Sequence, residues 1–261
     1  MEYDPLKNKL AKAIQMFPAL RILVYKAMDM ILLRQRYVKR EMLAHFREKE
    51  RFSFYDAGAG FCQYTWFVLK HWPNSQVLAT DLKSDYLKSF SFYASGFASG
   101  RFSYKSADLQ RYVPPQQYQL AIAIDILEHI EDDNTALRKL YQTLAPEGML
   151  IISTPSDTDE AAKFTAEHVR PGYAKIDLET KLHKAGFELV KSIYTYGFWG
   201  SLAWRLLMKY PLQITSKKLY PLLVPYYIVV YPFAELFMRM DMLRNNPSGT
   251  GILIVAQKPR A

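Results

Sequence analysis

A β-rich stretch, Phe52 to Tyr55, runs straight into Asp56-Ala57-Gly58-Ala59-Gly60, and helix-compatible residues follow from Gln63 to Lys70. A strand, a glycine turn and a helix in that order open a βα nucleotide-binding unit. No other feature constrains the fold as tightly, because such units stack into a parallel sheet covered by helices. Gly58 and Gly60 allow a sharp bend and a close approach to a ligand, since no Cβ intervenes.

The turn also discriminates between ligands. A dinucleotide fingerprint needs a third glycine at position 63, where this chain has Gln63. That disfavours NAD. The phosphate loop Gly-x4-Gly-Lys-Ser/Thr is absent as well. Asp56, directly before the turn, would repel a phosphate and suits a cationic ligand, such as one with an ammonium and a sulfonium.

Further elements follow in order. Gln76 to Leu82 is a short apolar strand ending in Asp81, 23 residues after Gly58. That position suits an acid bonding both ribose hydroxyls; the same acid could instead cap a helix. Phe102 to Leu109 is a third strand ending in Asp108-Leu109, and Leu120 to Ile124 is a continuous apolar run, as a strand buried on both faces requires. Glu131-Asp132-Asp133 places acids at the positive end of a helix running to Leu144. Ala145 to Gly148 stops it, and Met149 to Ser153 is a fifth strand.

This ordered series resembles the class I S-adenosylmethionine-dependent methyltransferases, over roughly residues 50–190 and the last strand. Their first motif is an acid followed by Gly-x-Gly-x-Gly. Asp56, Gly58 and Gly60 match, and Cys62 stands in the place of the third glycine. The resemblance implies an α/β, Rossmann-like, doubly wound seven-stranded sheet with the last strand antiparallel. It implies S-adenosylmethionine as cofactor, held by Asp56, Ala57, Gly58, Gly60 and Gln63 at the turn. Asp81 and Leu82 would lie at the ribose, Asp108 and Leu109 at the adenine, and Asp125 and Ile126 after the fourth strand.

Asp125, Glu128 and His129 lie at i, i+3 and i+4, a spacing that gathers side chains on one face of a helical turn. Two carboxylates and an imidazole so placed suit Mg²⁺ or another divalent cation. The run is similar to the metal site of ubiquinone-pathway O-methyltransferases and of small-RNA 2′-O-methyltransferases, which imply His168 as a further ligand. Those families have Glu where this chain has Asp125. The competing reading is structural: Glu-His after the fourth strand also occurs in methyltransferases without metal, the His bonding locally and the Glu facing a helix end.

Composition separates core from flanks. The formal net charge of +9 concentrates in residues 1–51 and 197–246, whereas residues 52–196 are net acidic. The N-terminal flank has Leu6, Leu10, Ile14 and Phe17 at helical spacing, an apolar stretch from Ala19 to Leu33, and the basic run Arg34 to Arg40. Residues 197–246 carry Trp199, Trp204 and many tyrosines, punctuated by Pro211, Pro221, Pro225 and Pro232. The uncharged run from Leu219 to Ala234 falls short of the roughly 20 residues that span a bilayer. The organisation expected is a helical cap (1–50), a cofactor-binding core (51–196), an apolar aromatic insertion (197–246) and the core's final strand (247–261). Both flanks read either as a lid or as a monotopic membrane surface touching anionic head groups through Lys39, Arg40, Lys217 and Lys218. Basic residues among aliphatic ones, beside an acidic core, argue against nucleic acid. The single cysteine fits a reducing compartment, hence a cytoplasmic location with peripheral membrane contact.

The activity expected is methyl transfer to an oxygen of a hydrophobic acceptor: a lipid, polyene, quinol or aryl compound. His168 and His129 are the candidate bases. The rival expectation is a non-catalytic membrane-associated scaffold with a degenerate methyltransferase core, to which Cys62 points.

Overall fold

The structure is a computed structural model and describes residues 18–47, 51–158, 169–216 and 219–260. Seven strands form one sheet: β1 (Ser53–Ala57), β2 (Gln76–Asp81), β3 (Phe102–Ser106), β4 (Tyr118–Ile124), β5 (Leu144–Pro155), β6 (Glu188–Thr195) and β7 (Gly251–Gln257). Their spatial order is β3-β2-β1-β4-β5-β7-β6. Every pairing is parallel except those of β7, which runs antiparallel to both β5 and β6. The order reverses between β1 and β4, and ligands of open α/β sheets lie outside the strand C-termini at such a switch point.

Alternation along the strands sends successive side chains to opposite faces. Phe54, Leu120, Ile122, Ile151 and Leu253 pack on one face, and Tyr55, Ala121, Ala123, Leu150 and Ile252 on the other. The second face is covered by α5 (Asp133–Thr143) and α6 (Lys175–Lys184), through Leu137, Leu140, Leu178 and Leu182. The first is covered by α3 (Gln63–His71) and α4 (Ser84–Ala94), and both flanks join them there. The N-terminal flank supplies α1 (Pro18–Ile31) and α2 (Leu33–His45). Between β6 and β7 come α7 (Phe198–Trp204), a π-helical turn (Arg205–Lys209), α8 (Tyr210–Ser216), a 3₁₀ turn (Tyr220–Leu222) and α9 (Leu223–Leu243). Leu33, Tyr37, Val38 and Met42 of α2 are buried in the same cluster as Ala234 and Met238 of α9.

Two expectations need correction, and a third falls outside the described residues. The basic run Arg34 to Arg40 does not face outward: Arg34 pairs with Asp125, Arg36 with Glu235 and Lys39 with Asp29. Arg40 bonds Glu41 and the carbonyl of Met242. The prolines do not break the C-terminal insertion either. Pro221 sits in the 3₁₀ turn and Pro225 in the first turn of α9, where a missing N–H costs nothing, and only Pro232 lies inside the helix. Tyr220–Leu243 is consequently one helical stretch of 24 residues, long and apolar enough to cross a membrane by length and composition alone. Finally, Lys217, Lys218 and the spaced residues Leu6 to Phe17 lie outside the described residues.

Candidate active site

The glycine turn is held from both sides. Gly58 N and Ala59 N donate to Thr80 O at 2.8 and 2.9 Å, tying the turn to the end of β2. Gly60 N donates to Asp81 Oδ2 at 2.9 Å, and Lys83 N to Asp81 Oδ1 at 2.9 Å. Gly58 has φ +76°, and a Cβ there would stand 2.1 Å from Ile126 Cδ1. Gly60 also has positive φ, +49°, but a Cβ there would meet nothing within 4 Å. So the left-handed backbone favours glycine at Gly58, where a Cβ would also displace the end of Ile126, and Gly60 faces open space.

Cys62 occupies the N-cap of α3 at φ +61° and is fully buried. The position is left-handed, which explains why a glycine suits it; the chain carries a β-carbon there instead. Asp56 is buried beneath the turn, where its Oδ2 accepts from Thr65 Oγ1 at 2.7 Å. Burial pushes its carboxyl up to about 7.

The remaining expected cofactor residues collect along the same edge. Ala107 N donates to Asp81 O at 3.1 Å, which sets the loop after β3 beside the tip of β2. There Asp108 Oδ1 accepts from Gln110 N at 2.9 Å, and Leu109 is buried. Leu82, the residue after β2, is 61% exposed. Gln63 Oε1 is buried and has no hydrogen-bond partner among the described residues. A turn with open space over Gly60, a carboxylate at the tip of β2, an exposed Leu82 and an orphaned amide oxygen together fit a nucleoside with a polar tail. These residues would hold S-adenosylmethionine.

Asp125 departs from its expected place. It has φ +48°, outside any helix, and only Leu127–His129 form a 3₁₀ turn. The helical spacing therefore does not gather the three side chains. Asp125 pairs with Arg34, while the buried Glu128 accepts from Thr154 Oγ1 at 3.0 Å through Oε2. Burial holds the Glu128 carboxyl above the usual range, and its Oε1 has no partner among the described residues. No group of three or more metal-ligating side chains forms among the described residues. Asp125, Glu128 and His129 thus do not fit the expected divalent cation, and His168 lies outside the described residues. His129 does not line the cavity described next.

Beyond Asp125 the strand tips open into a cavity of about 760 Å³. Its floor is Ser153, Thr154 and Pro155 of β5, with Thr195, Tyr196, Thr250 and Gly251 from the β6–β7 edge. Its wall comes from the insertion: Trp204, Arg205, Lys209 and Leu212. Arg34 enters from α2, and its backbone N–H donates to Tyr196 Oη at 3.0 Å. Among the described residues, three cations, Arg34, Arg205 and Lys209, and one carboxylate, Asp125, line the cavity, and Arg34 pairs with Asp125. Motif reading missed Arg34, Arg205, Lys209 and Tyr196. Only the i, i+4 spacing of Arg205 and Lys209 is visible in the sequence, and it does not say what they face. Tyr25 of α1 was missed too: its hydroxyl donates to the carbonyl of Phe61 and braces the glycine turn.

Residues 55–150 match the family described as "Methyltransferase domain". A trans-aconitate 2-methyltransferase of Azoarcus sp. strain BH72 is 26% identical over 46% of this chain and 46% of its own length. The chain thus matches less than half the length of that relative. Among solved structures, a phosphoethanolamine N-methyltransferase 2 of Haemonchus contortus, in complex with phosphomonomethylethanolamine and S-adenosylhomocysteine, superimposes with a TM-score of 0.60. It is 17% identical and is covered over 53% of its length, against 87% of this chain. The 4+2 cyclase SpnF superimposes with a TM-score of 0.62, at 17% identity, over 86% of this chain and 81% of its own. These structural likenesses carry the fold, and the sequence match identifies residues 55–150 as similar to a methyltransferase domain.

Proposed function

We propose that this chain transfers a methyl group from S-adenosylmethionine to an oxygen of an acceptor that combines an apolar part with an anionic group. The observation that carries this reading is the cavity at the tips of β4 and β5, where, among the described residues, Arg34, Arg205 and Lys209 outnumber the carboxylate of Asp125. Trp204, Leu212 and Leu32 supply the apolar wall. The relatives named trans-aconitate methyltransferases point the same way, since aconitate is a carboxylate. A quinol acceptor of the ubiquinone-pathway type is less favoured, because the metal-ligand cluster expected for it does not assemble from Asp125, Glu128 and His129.

Bound S-adenosylmethionine supplies an electrophilic methyl on a sulfonium. The chain's task is alignment, which accounts for much of the rate when reacting atoms are held about 3–3.5 Å apart. The glycine turn, Asp81 and Asp108 would fix the donor over β1 to β3, while the cations draw the acceptor into the cavity over β4 and β5. The Arg34–Asp125 pair stands on the line between them. An acceptor carboxylate, with an ordinary pKa of about 4, is already ionised at neutral pH and needs no general base.

The test is transfer of labelled methyl from S-adenosylmethionine to a panel of amphipathic carboxylates and matched neutral esters. Carboxylates should be methylated and esters not. Arg205→Ala with Lys209→Ala should raise KM for the carboxylate at least tenfold and leave affinity for S-adenosylmethionine unchanged. Equal turnover of neutral acceptors, or an unchanged KM, would overturn the anionic acceptor.

A second reading, a non-catalytic scaffold, is favoured by Cys62, a non-glycine residue in a left-handed position of the first motif. The SpnF likeness adds that this fold also appears in a protein named as a cyclase. Absence of methyl transfer alongside tight S-adenosylmethionine binding would support that alternative.

A further inference from the structure

The exposed side of α9 is almost wholly apolar. Val224, Ile228, Val229, Phe233 and Leu236 recur at helical spacing and are 53–70% exposed. No charged residue occurs in the sequence from Leu219 to Ala234. An apolar surface this continuous marks a contact site in a folded protein.

The helix is fixed in place along its other side. Tyr226 Oη and Tyr227 Oη donate to the carbonyls of Leu206 and Leu207, at 2.8 and 3.0 Å. Glu235 accepts from Arg36 of α2 at 2.6 Å. The buried Asp241 accepts from Tyr37 Oη and from Gly200 N, each at 2.9 Å. A helix tied to the rest of the chain at both ends, with Glu235, Arg239 and Asp241 in its last turns, lies along a surface and does not cross one.

Charge selects the occupant. The stripe continues into Arg239, four-fifths of a turn beyond Leu236, largely exposed and paired with Glu235 at 2.8 Å. At the other end stand the exposed Arg205, Lys209 and Tyr210. An apolar helix face bounded by cations and tyrosine hydroxyls is the pattern of an interfacial helix on anionic lipid. The face is also continuous with the cavity. The π-turn that receives Tyr226 and Tyr227 carries Arg205 and Lys209 of the cavity wall, and Leu212 is both wall and exposed surface.

We propose that the outward face of α9, with Leu212 and Tyr220, docks this protein on an anionic lipid bilayer and sets the cavity mouth at that surface. The docking stands on this face alone. Its consequence, an acceptor drawn from the bilayer, rests on the methyl-transfer reading above. The contacts differ from those expected from sequence, since Lys39 and Arg40 are engaged internally.

The experiment is co-sedimentation of the full chain with vesicles of phosphatidylcholine alone or with phosphatidylglycerol added. Light scattering on the same protein without lipid, and S-adenosylmethionine binding, are measured in parallel. Wild-type protein should bind the phosphatidylglycerol vesicles at least tenfold more tightly, with partial release by salt and full release by detergent. Ile228→Asp with Phe233→Asp should lower that binding at least tenfold with S-adenosylmethionine affinity unchanged, which shows that the variant is folded. Wild-type protein that ignores both vesicles, vesicle binding untouched by the double variant, or a dimer that the double variant dissolves would each overturn the proposal. The cofactor measurement does not depend on lipid, so failure of docking and failure of the methyltransferase reading remain distinguishable.

Discussion

The two flanks read alike in sequence, each basic and apolar, yet the fold uses them in opposite ways. In α2 the apolar residues Leu33, Tyr37, Val38 and Met42 are buried on the sheet, and the cations beside them are consumed in ion pairs. In α9 only Ala234, Met238 and Asp241 are buried, and Val224, Ile228, Val229, Phe233 and Leu236 point out. The difference lies in phase. α2 interleaves charge with bulk, so one face can bury while Arg34, Arg36 and Lys39 reach partners on Asp125, Glu235 and Asp29. The first half of α9 has no charge to turn outward, so whichever face it buries, an apolar one remains. Composition alone therefore says little about which flank meets a membrane; the partners of the charges decide it.

The contrast breaks first on core truncation. Leu33→Ala should lose about 2–5 kcal/mol of unfolding free energy, because α2 is packed on both sides. Ile228→Ala, a comparable truncation on α9, should stay within about 0.5 kcal/mol. Similar losses in chemical denaturation would mean that the two helices are buried alike.

Next comes the polar junction between the flanks. Tyr37→Phe removes the hydroxyl that donates to Asp241 Oδ2 and to its carbonyl, each at 2.9 Å. Leaving a buried carboxylate short of a donor should cost about 1–3 kcal/mol. A neutral outcome would show that α9 is not anchored through Asp241.

A smaller effect sharpens the same junction by pH. Hydrogen bonding from Arg36 holds the Glu235 carboxyl down, to about 2 from its ordinary 4.5. A depressed acid stabilises the fold above its unfolded pKa, and that stability is lost as pH falls from about 4.5 towards 2. The pair is partly exposed, so the contribution should be about 1 kcal/mol. Glu235→Gln should flatten the difference in melting temperature over that window, and an unchanged acid limb would remove the pair from the account.

Much of the sheet was legible because Leu120 to Ile124 of β4 is a continuous apolar run and the ends of β1 to β4, or the residues just after them, carry an acid or glycine whose type is dictated locally. The site was legible only where it is local. Gly58, Gly60, Asp81 and Asp108 sit at strand ends that their own segments define, and the structure brings them to one edge. The metal reading of Asp125, Glu128 and His129, the alternative to a structural one, rested on a helical spacing, whereas Asp125 adopts φ +48° and a single 3₁₀ turn follows. Arg34 could not be found at all: its partner lies 91 residues away, and nothing in either segment names the other. The reach of α9 was underestimated for a similar reason, since Pro221 and Pro225 were counted as breaks although they fall before or within its first turn.

The central claim is that the edge from the glycine turn to Asp81 holds S-adenosylmethionine. Isothermal titration calorimetry of wild-type protein and Asp81→Ala tests it directly. Removing a charge-assisted acceptor of ribose hydroxyls is worth roughly 1.5–3 kcal/mol, so affinity should fall tenfold or more. Circular dichroism should be unchanged, and NAD should give no heat with either protein. Equal affinity of the two proteins for S-adenosylmethionine, or micromolar binding of NAD, would contradict the account.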